Sequence, residues 1–304
     1  MSRETEKVFK EFQQFLGEDG AKDMTDKELQ QKIDEFLSQY NGSLPEPVTP
    51  ENAKTTDDYM ELAFMADNRN DALRYAKKAL QLDPHNFDAE VFLIEEKTDD
   101  FTRLAKDMSK TVERATKYME AEGFFDEECI GDFWGILETR PYMRLRHRYL
   151  QALLECGRFG MAKQECEELL RLCENDNMGV RYQLMHLYAF FEQEEAALAL
   201  CKRFGGGDDS QMLLPLAILY YKAGDETKAK QYLRRLNNAN KGLKQFLKKV
   251  TEGDRSLFDD FRMGNAYQLG SLEELQSEFQ ENMFLFMGME PFDEWALQQV
   301  KQFK

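Results

Sequence analysis

Three short segments of this 304-residue chain share one punctuation, and their spacing constrains the fold more than any other feature. Cys156-Gly157-Arg158-Phe159-Gly160-Met161-Ala162 and Lys222-Ala223-Gly224-Asp225-Glu226-Thr227-Lys228-Ala229 each set a helix-ending Gly ahead of a small Ala in the next helix. Phe190-Phe191-Glu192-Gln193-Glu194-Glu195-Ala196 fills the slot between them, so alanines fall at 162, 196 and 229, spacings of 34 and 33. A period of that length predicts stacked helix pairs, because one pair cannot bury its apolar face alone. Alanine suits such a stack: its methyl lets two helices approach closely where a larger side chain would hold them apart. An earlier, less regular copy runs from Asp67-Asn68-Arg69-Asn70-Asp71-Ala72 to Ala79-Leu80-Gln81-Leu82-Asp83-Pro84, with Pro84 ending the second helix.

Only 7 Pro and 18 Gly interrupt the chain while 32% of residues are charged, which suits many short amphipathic helices and argues against an all-β fold. At 42% apolar the chain can offset the entropy of ordering, so pervasive disorder is excluded. Forty Lys and Arg against 57 Asp and Glu leave a net charge of −17, which excludes nucleic-acid or anionic-membrane binding by bulk charge. The five cysteines, Cys129, Cys156, Cys166, Cys173 and Cys201, form no C-x-x-C pair and follow no apolar signal region, so reduced thiols and a cytoplasmic location are expected. Met212 to Tyr221, the most apolar window, is about ten residues long, half of what a membrane helix requires.

Residues 1–42 read as a helical extension. Val8, Phe9, Phe12, Phe15 and Leu16 make one stripe, and Leu29, Ile33, Phe36 and Leu37 make a second, opened by a Thr25/Glu28 capping box and stopped at Asn41-Gly42. Three prolines in Leu44-Pro45-Glu46-Pro47-Val48-Thr49-Pro50 make residues 43–54 a linker. Residues 55–304 then carry the repeats, with irregular helices at about 85–138 and a cap from about 271. Phe279, Phe284, Phe286, Trp295, Leu297 and Val300 supply that cap's apolar surface.

These repeat residues resemble the tetratricopeptide repeat, which implies an all-α, right-handed superhelix of helix pairs whose first helices line a concave face. A more specific resemblance lies in Gly131-Asp132-Phe133-Trp134-Gly135-Ile136-Leu137-Glu138-Thr139-Arg140-Pro141-Tyr142-Met143-Arg144, followed by Asn175-Asp176-Asn177-Met178-Gly179-Val180-Arg181-Tyr182. It is similar to the core shared by the suppressor-of-tumorigenicity family and its bacterial tetratricopeptide relatives, over roughly residues 55 to 300 and most strongly from 124 to 200. The resemblance implies a helical scaffold without catalytic residues. Membrane-bound members carry transmembrane helices that have no counterpart in this sequence.

Within that core, Pro141 is expected at the start of a helix, with Thr139 or Arg140 just outside it and Trp134 as the largest buried anchor of a packing joint. The helix running on from Pro141 sets Arg140, Arg144, His147, Arg148 and Gln151 along one side. One repeat period carries His147 to Arg181 and Leu154 to Tyr188, and a further 33 residues reach Tyr221 beside Lys222. In the scaffold that the resemblance implies, Arg140, Arg144, His147, Gln151, Arg181, Met185, Tyr188, Tyr221 and Lys222 would share one partner-binding groove. Its positive charge favours an acidic peptide segment. The bland alternative is a solvated face paired with acids such as Glu138 or Glu155.

Catalytic chemistry is poorly represented. His85, His147 and His186 are scattered, no H-E-x-x-H, G-x-S-x-G or P-loop occurs, and Gly205-Gly206-Gly207-Asp208-Asp209 lacks the Lys and Ser/Thr of a nucleotide loop. Cys156, Cys166 and Cys173 are too widely spaced for zinc and suit small core positions. The expectation is a non-catalytic protein-interaction scaffold with no cofactor or metal and a protein or peptide partner. A peptide-sensing regulator acting through residues 1–42 and an enzyme with a site near Trp134 to Arg144 are the alternatives.

Overall fold

The computed structural model describes residues 3–17, 24–40, 47–205, 207–258 and 267–303. All regular structure among them is helical, apart from isolated bridges that join Cys173 to Gly131 and Asp132. The expected all-α class is therefore met. The expected helix stop at Asn41-Gly42, the first part of the proline linker and Gly206 lie outside the described residues; residues 47–54 are not helical. No described helix is long and apolar enough to cross a membrane. Two compact units emerge, one comprising the chain to residue 158 with 171–175, the other 159–170 with 176–304.

The first unit opens with α1 (Arg3–Leu16) and α2 (Asp26–Tyr40). Their apolar stripes face each other through Phe12, Phe15 and Phe36, with ring centroids 5.1 and 5.6 Å apart across the pair. The Thr25/Glu28 capping box forms as expected, with Thr25 N donating to Glu28 at 2.8 Å and Glu28 N to Thr25 Oγ1 at 3.4 Å. Next comes the hairpin of α3 (Thr56–Met65) and α4 (Arg69–Leu82), the first copy of the repeat. Thr55 and Asp58 form a full capping box on α3, and Asn68 caps α4. Met60, Ala63, Tyr75, Ala76 and Ala79 form its core, and Ala76 and Ala79 are completely buried, as a close crossing demands.

Helices α5 (Phe87–Glu95), α6 (Phe101–Ala121) and α7 (Arg140–Glu155) complete this unit. Between α6 and α7 the chain is held by Phe133, which is fully buried against Phe125 and Tyr142. Trp134, the expected anchor, is only half-buried. Gly131 N and Phe133 N donate to Leu172 O at 3.2 and 3.0 Å, and Glu174 N donates to Gly131 O at 2.8 Å. These bonds tie residues 171–175 into the first unit.

The second unit contains α8 (Phe159–Leu172), whose last residues belong to the first, then α9 (Val180–Phe190), α10 (Glu194–Arg203), α11 (Ser210–Lys222), α12 (Glu226–Ala239) and α13 (Leu243–Glu252). Cys166 and Cys201 here, like Cys173 in the first unit, are buried cysteines outside any disulfide, as small core residues should be. Helices α14 (Leu272–Glu281), α15 (Met283–Phe286) and α16 (Glu290–Val300) pack on this array. Ser271, the expected start of the last segment, caps α14 by accepting from Glu274 N. A Cβ at Gly242 would lie 2.3 Å from Leu272 N, so no side chain fits where α14 begins.

The repeat punctuation holds with one correction. Gly157, Glu192 and Gly224 all adopt left-handed backbone, at φ of 73°, 56° and 78°, and Glu192 does so without glycine's freedom. Each is followed five residues later by a fully buried alanine: Ala162, Ala197 and Ala229. Ala196, the residue chosen on spacing alone, is half-buried. Ala197→Phe should therefore overpack α10 and cost about 1–3 kcal/mol, whereas Ala196→Phe should cost clearly less. Urea titration of both variants checks this; equal midpoints would sink the assignment.

Candidate binding surfaces

The segments at 131–144 and 175–182 first do local work. Thr139 is the N-cap residue of α7 and Pro141 lies in its first turn, as expected. The buried Thr139 hydroxyl donates to the carbonyls of Phe133 and Ile136, and Arg140 Nε donates to Trp134 O at 2.8 Å while its guanidinium lies 5.7 Å from the Trp134 ring. Asp176, itself left-handed at φ 50°, accepts from Val180 N at 2.7 Å and Arg181 N at 3.1 Å, so its carboxylate closes the N-terminus of α9. Both segments thus serve helix starts, and the first of them also forms the packing joint expected around Phe133 to Tyr142.

The candidate residues on α7 meet partners supplied by their own chain. Arg144 holds Asp88 of α5 through Nε at 2.9 Å and Nη2 at 2.6 Å, and Glu6 of α1 through Nη1 at 2.8 Å. Arg140 Nη1 lies 4.0 Å from Glu6. Burial acts to lower the Arg144 pKa, but the hydrogen bonds and charges of Asp88 and Glu6 outweigh it and raise it. His147 adds nothing to a basic stripe: burial, helped by the charge of Arg148, pushes its pKa down to about 4, so it is neutral near pH 7. Arg148 pairs with Glu95, and Gln151 is half-buried. The carboxylates of Glu6 and Asp88 escaped sequence reasoning, since no local periodicity links residues 138 and 56 positions away to Arg144.

The candidates in the second unit are also engaged. Arg181 pairs with Asp176 at 2.9 Å and lies over the Tyr182 and Phe204 rings at 4.3 and 5.3 Å. Lys222 donates to Ala189 O at 3.1 Å and Phe190 O at 2.7 Å, where it satisfies carbonyls at the end of α9. Met185 is fully buried and presents no surface. Tyr188 is almost entirely buried and donates to Glu167 at 3.1 Å; burial first and that carboxylate second raise its pKa. Tyr221 packs on Phe292 and Trp295 of α16, with centroids 5.4 and 5.0 Å away.

The expectation of open groove residues is accordingly revised. In the second unit α14–α16 lie over α9 and α11: Phe284 meets Phe190, Phe286 lies near His186, and Ser210 Oγ donates to Glu274. In the first unit the cations at Arg140 and Arg144 are met by Glu6 and Asp88. A cavity of about 740 Å³ lies beside that contact, bounded by Lys10, Asp57, His85, Asp88, Tyr118 and Glu138 among others. His85 and Tyr118 stack there with centroids 3.8 Å apart. No cluster of three or more metal-ligating side chains occurs among the described residues. Comparison with known families finds no model that matches this chain, and comparison with curated proteins finds no match.

Proposed function

We propose that this chain is a non-catalytic, cytoplasmic, tetratricopeptide-like scaffold, akin to the suppressor-of-tumorigenicity family, that binds a segment of another protein. The observation that carries this reading is the seating of α1. Glu6, Lys7 and Lys10 of this helix meet charged side chains of α3 and α7 one by one. Fully buried alanines at Ala76, Ala162, Ala197 and Ala229 support the superhelical part of the reading, because a small residue at each crossing lets successive helix pairs stack closely.

Crosslinking mass spectrometry on the tagged full chain in its own cells tests this. We expect one or a few proteins crosslinked reproducibly to the chain's lysines. A chain recovered with no protein above background would overturn the reading. The seating of α1 also favours a second version, in which residues 1–42 regulate access to the surface they cover.

A further inference from the structure

The charges beneath α1 run in a defined order. Glu6 meets Arg144 at 2.8 Å and Arg140 at 4.0 Å, Lys7 meets Asp58 at 3.0 Å and Glu61 at 3.4 Å, and Lys10 meets Asp57 at 2.9 Å. The receiving surface is thus bipolar, with two arginines on α7 and three carboxylates on α3. Such a surface rewards one pattern: an acid, a base at the next position and a second base four residues after the acid. On a helix the first and last of these share a side, and the middle one reaches the neighbouring ridge.

What fastens α1 to this surface is charge. Among its described side chains Glu6 is the buried one, and its phenylalanines at 12 and 15 are spent on α2. Lys7 and Lys10 remain about one-third exposed, as does Asp57, and ion pairs so open to water hold weakly and fade with salt. The cation site does not collapse when Glu6 leaves, because Asp88 continues to neutralise Arg144.

We infer that the α3–α7 surface is a docking site for an amphipathic helix of another protein that carries Glu followed by Lys or Arg at the first and fourth positions after it, and that α1 occupies it in cis. This rests on the scaffold reading and adds the partner's chemistry to it. The tether gives α1 a high effective concentration, so a partner gains access as α1 is displaced, and its apparent affinity falls by the fraction of chains in which α1 is seated.

The test uses the full chain, wild type and Glu6→Gln, with a fluorescein-labelled synthetic peptide of residues 3–17 as probe. Hydrogen exchange should rise at least tenfold over residues 5–16 in Glu6→Gln and stay unchanged over α7. The peptide should bind Glu6→Gln at least tenfold tighter than wild type, more weakly at 500 mM than at 50 mM NaCl. A peptide with the charges of Glu6, Lys7 and Lys10 reversed should not bind. If Glu6→Gln leaves α1 protected, the triple variant Glu6→Gln/Lys7→Gln/Lys10→Gln is measured; protection persisting there overturns the proposal. So does equal binding of the native and reversed peptides, or equal binding to wild type and the released variant. Dimerisation of the wild-type chain that vanishes in Glu6→Gln would assign the surface to α1 of a second copy and also overturn it. Failure of these arms alongside a crosslinked partner would leave the scaffold reading standing.

Discussion

Replacing Arg144 with Met should lower stability by about 3–5 kcal/mol, a large share of the 5–15 kcal/mol that typically holds a folded protein together. The guanidinium is 18% exposed and joins two carboxylates, Glu6 and Asp88, that are themselves 7% and 15% exposed. Removing it takes from two desolvated acids their shortest ion pairs, Glu6 keeping only the longer contacts to Arg140 at 4.0 Å and Lys10 at 3.9 Å, and the cost comes from that loss of compensation in a buried setting. Arg144→Lys should restore only part, because an ammonium cannot make the forked contacts to both acids at once. Adding Glu6→Gln and Asp88→Asn to Arg144→Met should recover much of the loss, since the side chains facing the lost guanidinium then carry no charge to compensate. Urea titration of the four proteins checks the scheme, and an Arg144→Met chain within 1 kcal/mol of wild type would sink it.

The second large effect is in pH dependence at His186 and Glu278, both completely enclosed between α9 and α14. His186 Nδ1 lies 2.8 Å from Tyr182 O, which can only accept, so the proton sits on Nδ1. Nε2 is then the acceptor and faces Glu278 Oε1 at 3.1 Å. The carboxyl must supply that hydrogen. Burial, reinforced by the charges of Glu274, Asp209 and Glu281, holds Glu278 well above the ordinary carboxylate range, while burial pushes His186 down to about 4. The other Glu278 oxygen has no hydrogen-bond partner among the described residues, which a neutral acid tolerates better than an anion.

A raised acid stabilises the fold fully below its unfolded pKa near 4.5 and loses that contribution as pH climbs toward the folded value. Each pH unit in that window costs about 1.4 kcal/mol. Glu278→Gln keeps a donor for Nε2 and removes the titration. Relative to wild type the variant should therefore gain stability as the pH is raised above about 5. Parallel denaturation curves across that range would show instead that Glu278 is ionised in the folded protein.

Local chemistry made much of this molecule legible in its sequence. Gly157 and Gly224 announce left-handed turns, Thr25 and Glu28 announce a helix start, and Pro141 marks the beginning of α7. The slip at Ala196 has a definite cause. The middle repeat places Glu192 where the others place Gly, so the sequence offers only the spacing between alanines, whereas the left-handed residue keeps a constant five-residue distance to the buried Ala197. Size alone favours Trp134 over Phe133 as the anchor, yet Trp134 lies half-buried beside Arg140 while Phe133 fills the joint. The fate of the basic stripe was beyond local reading. Helical periodicity sets Arg144 on a face but carries no information about which distant carboxylate that face will meet.

The span between Glu6 and Arg144 also orders events during synthesis. At 5–20 residues per second, α1 emerges from the ribosome roughly 7 to 28 seconds before α7 does. During that interval α1 and α2 can join through Phe12, Phe15 and Phe36, a closure of some twenty residues, while Glu6 remains in water. Closing the 138-residue loop to Arg144 carries the larger entropic cost and comes after α5 has presented Asp88. On loop-closure grounds Arg144 is therefore expected to meet Asp88, 56 residues away, before it meets Glu6.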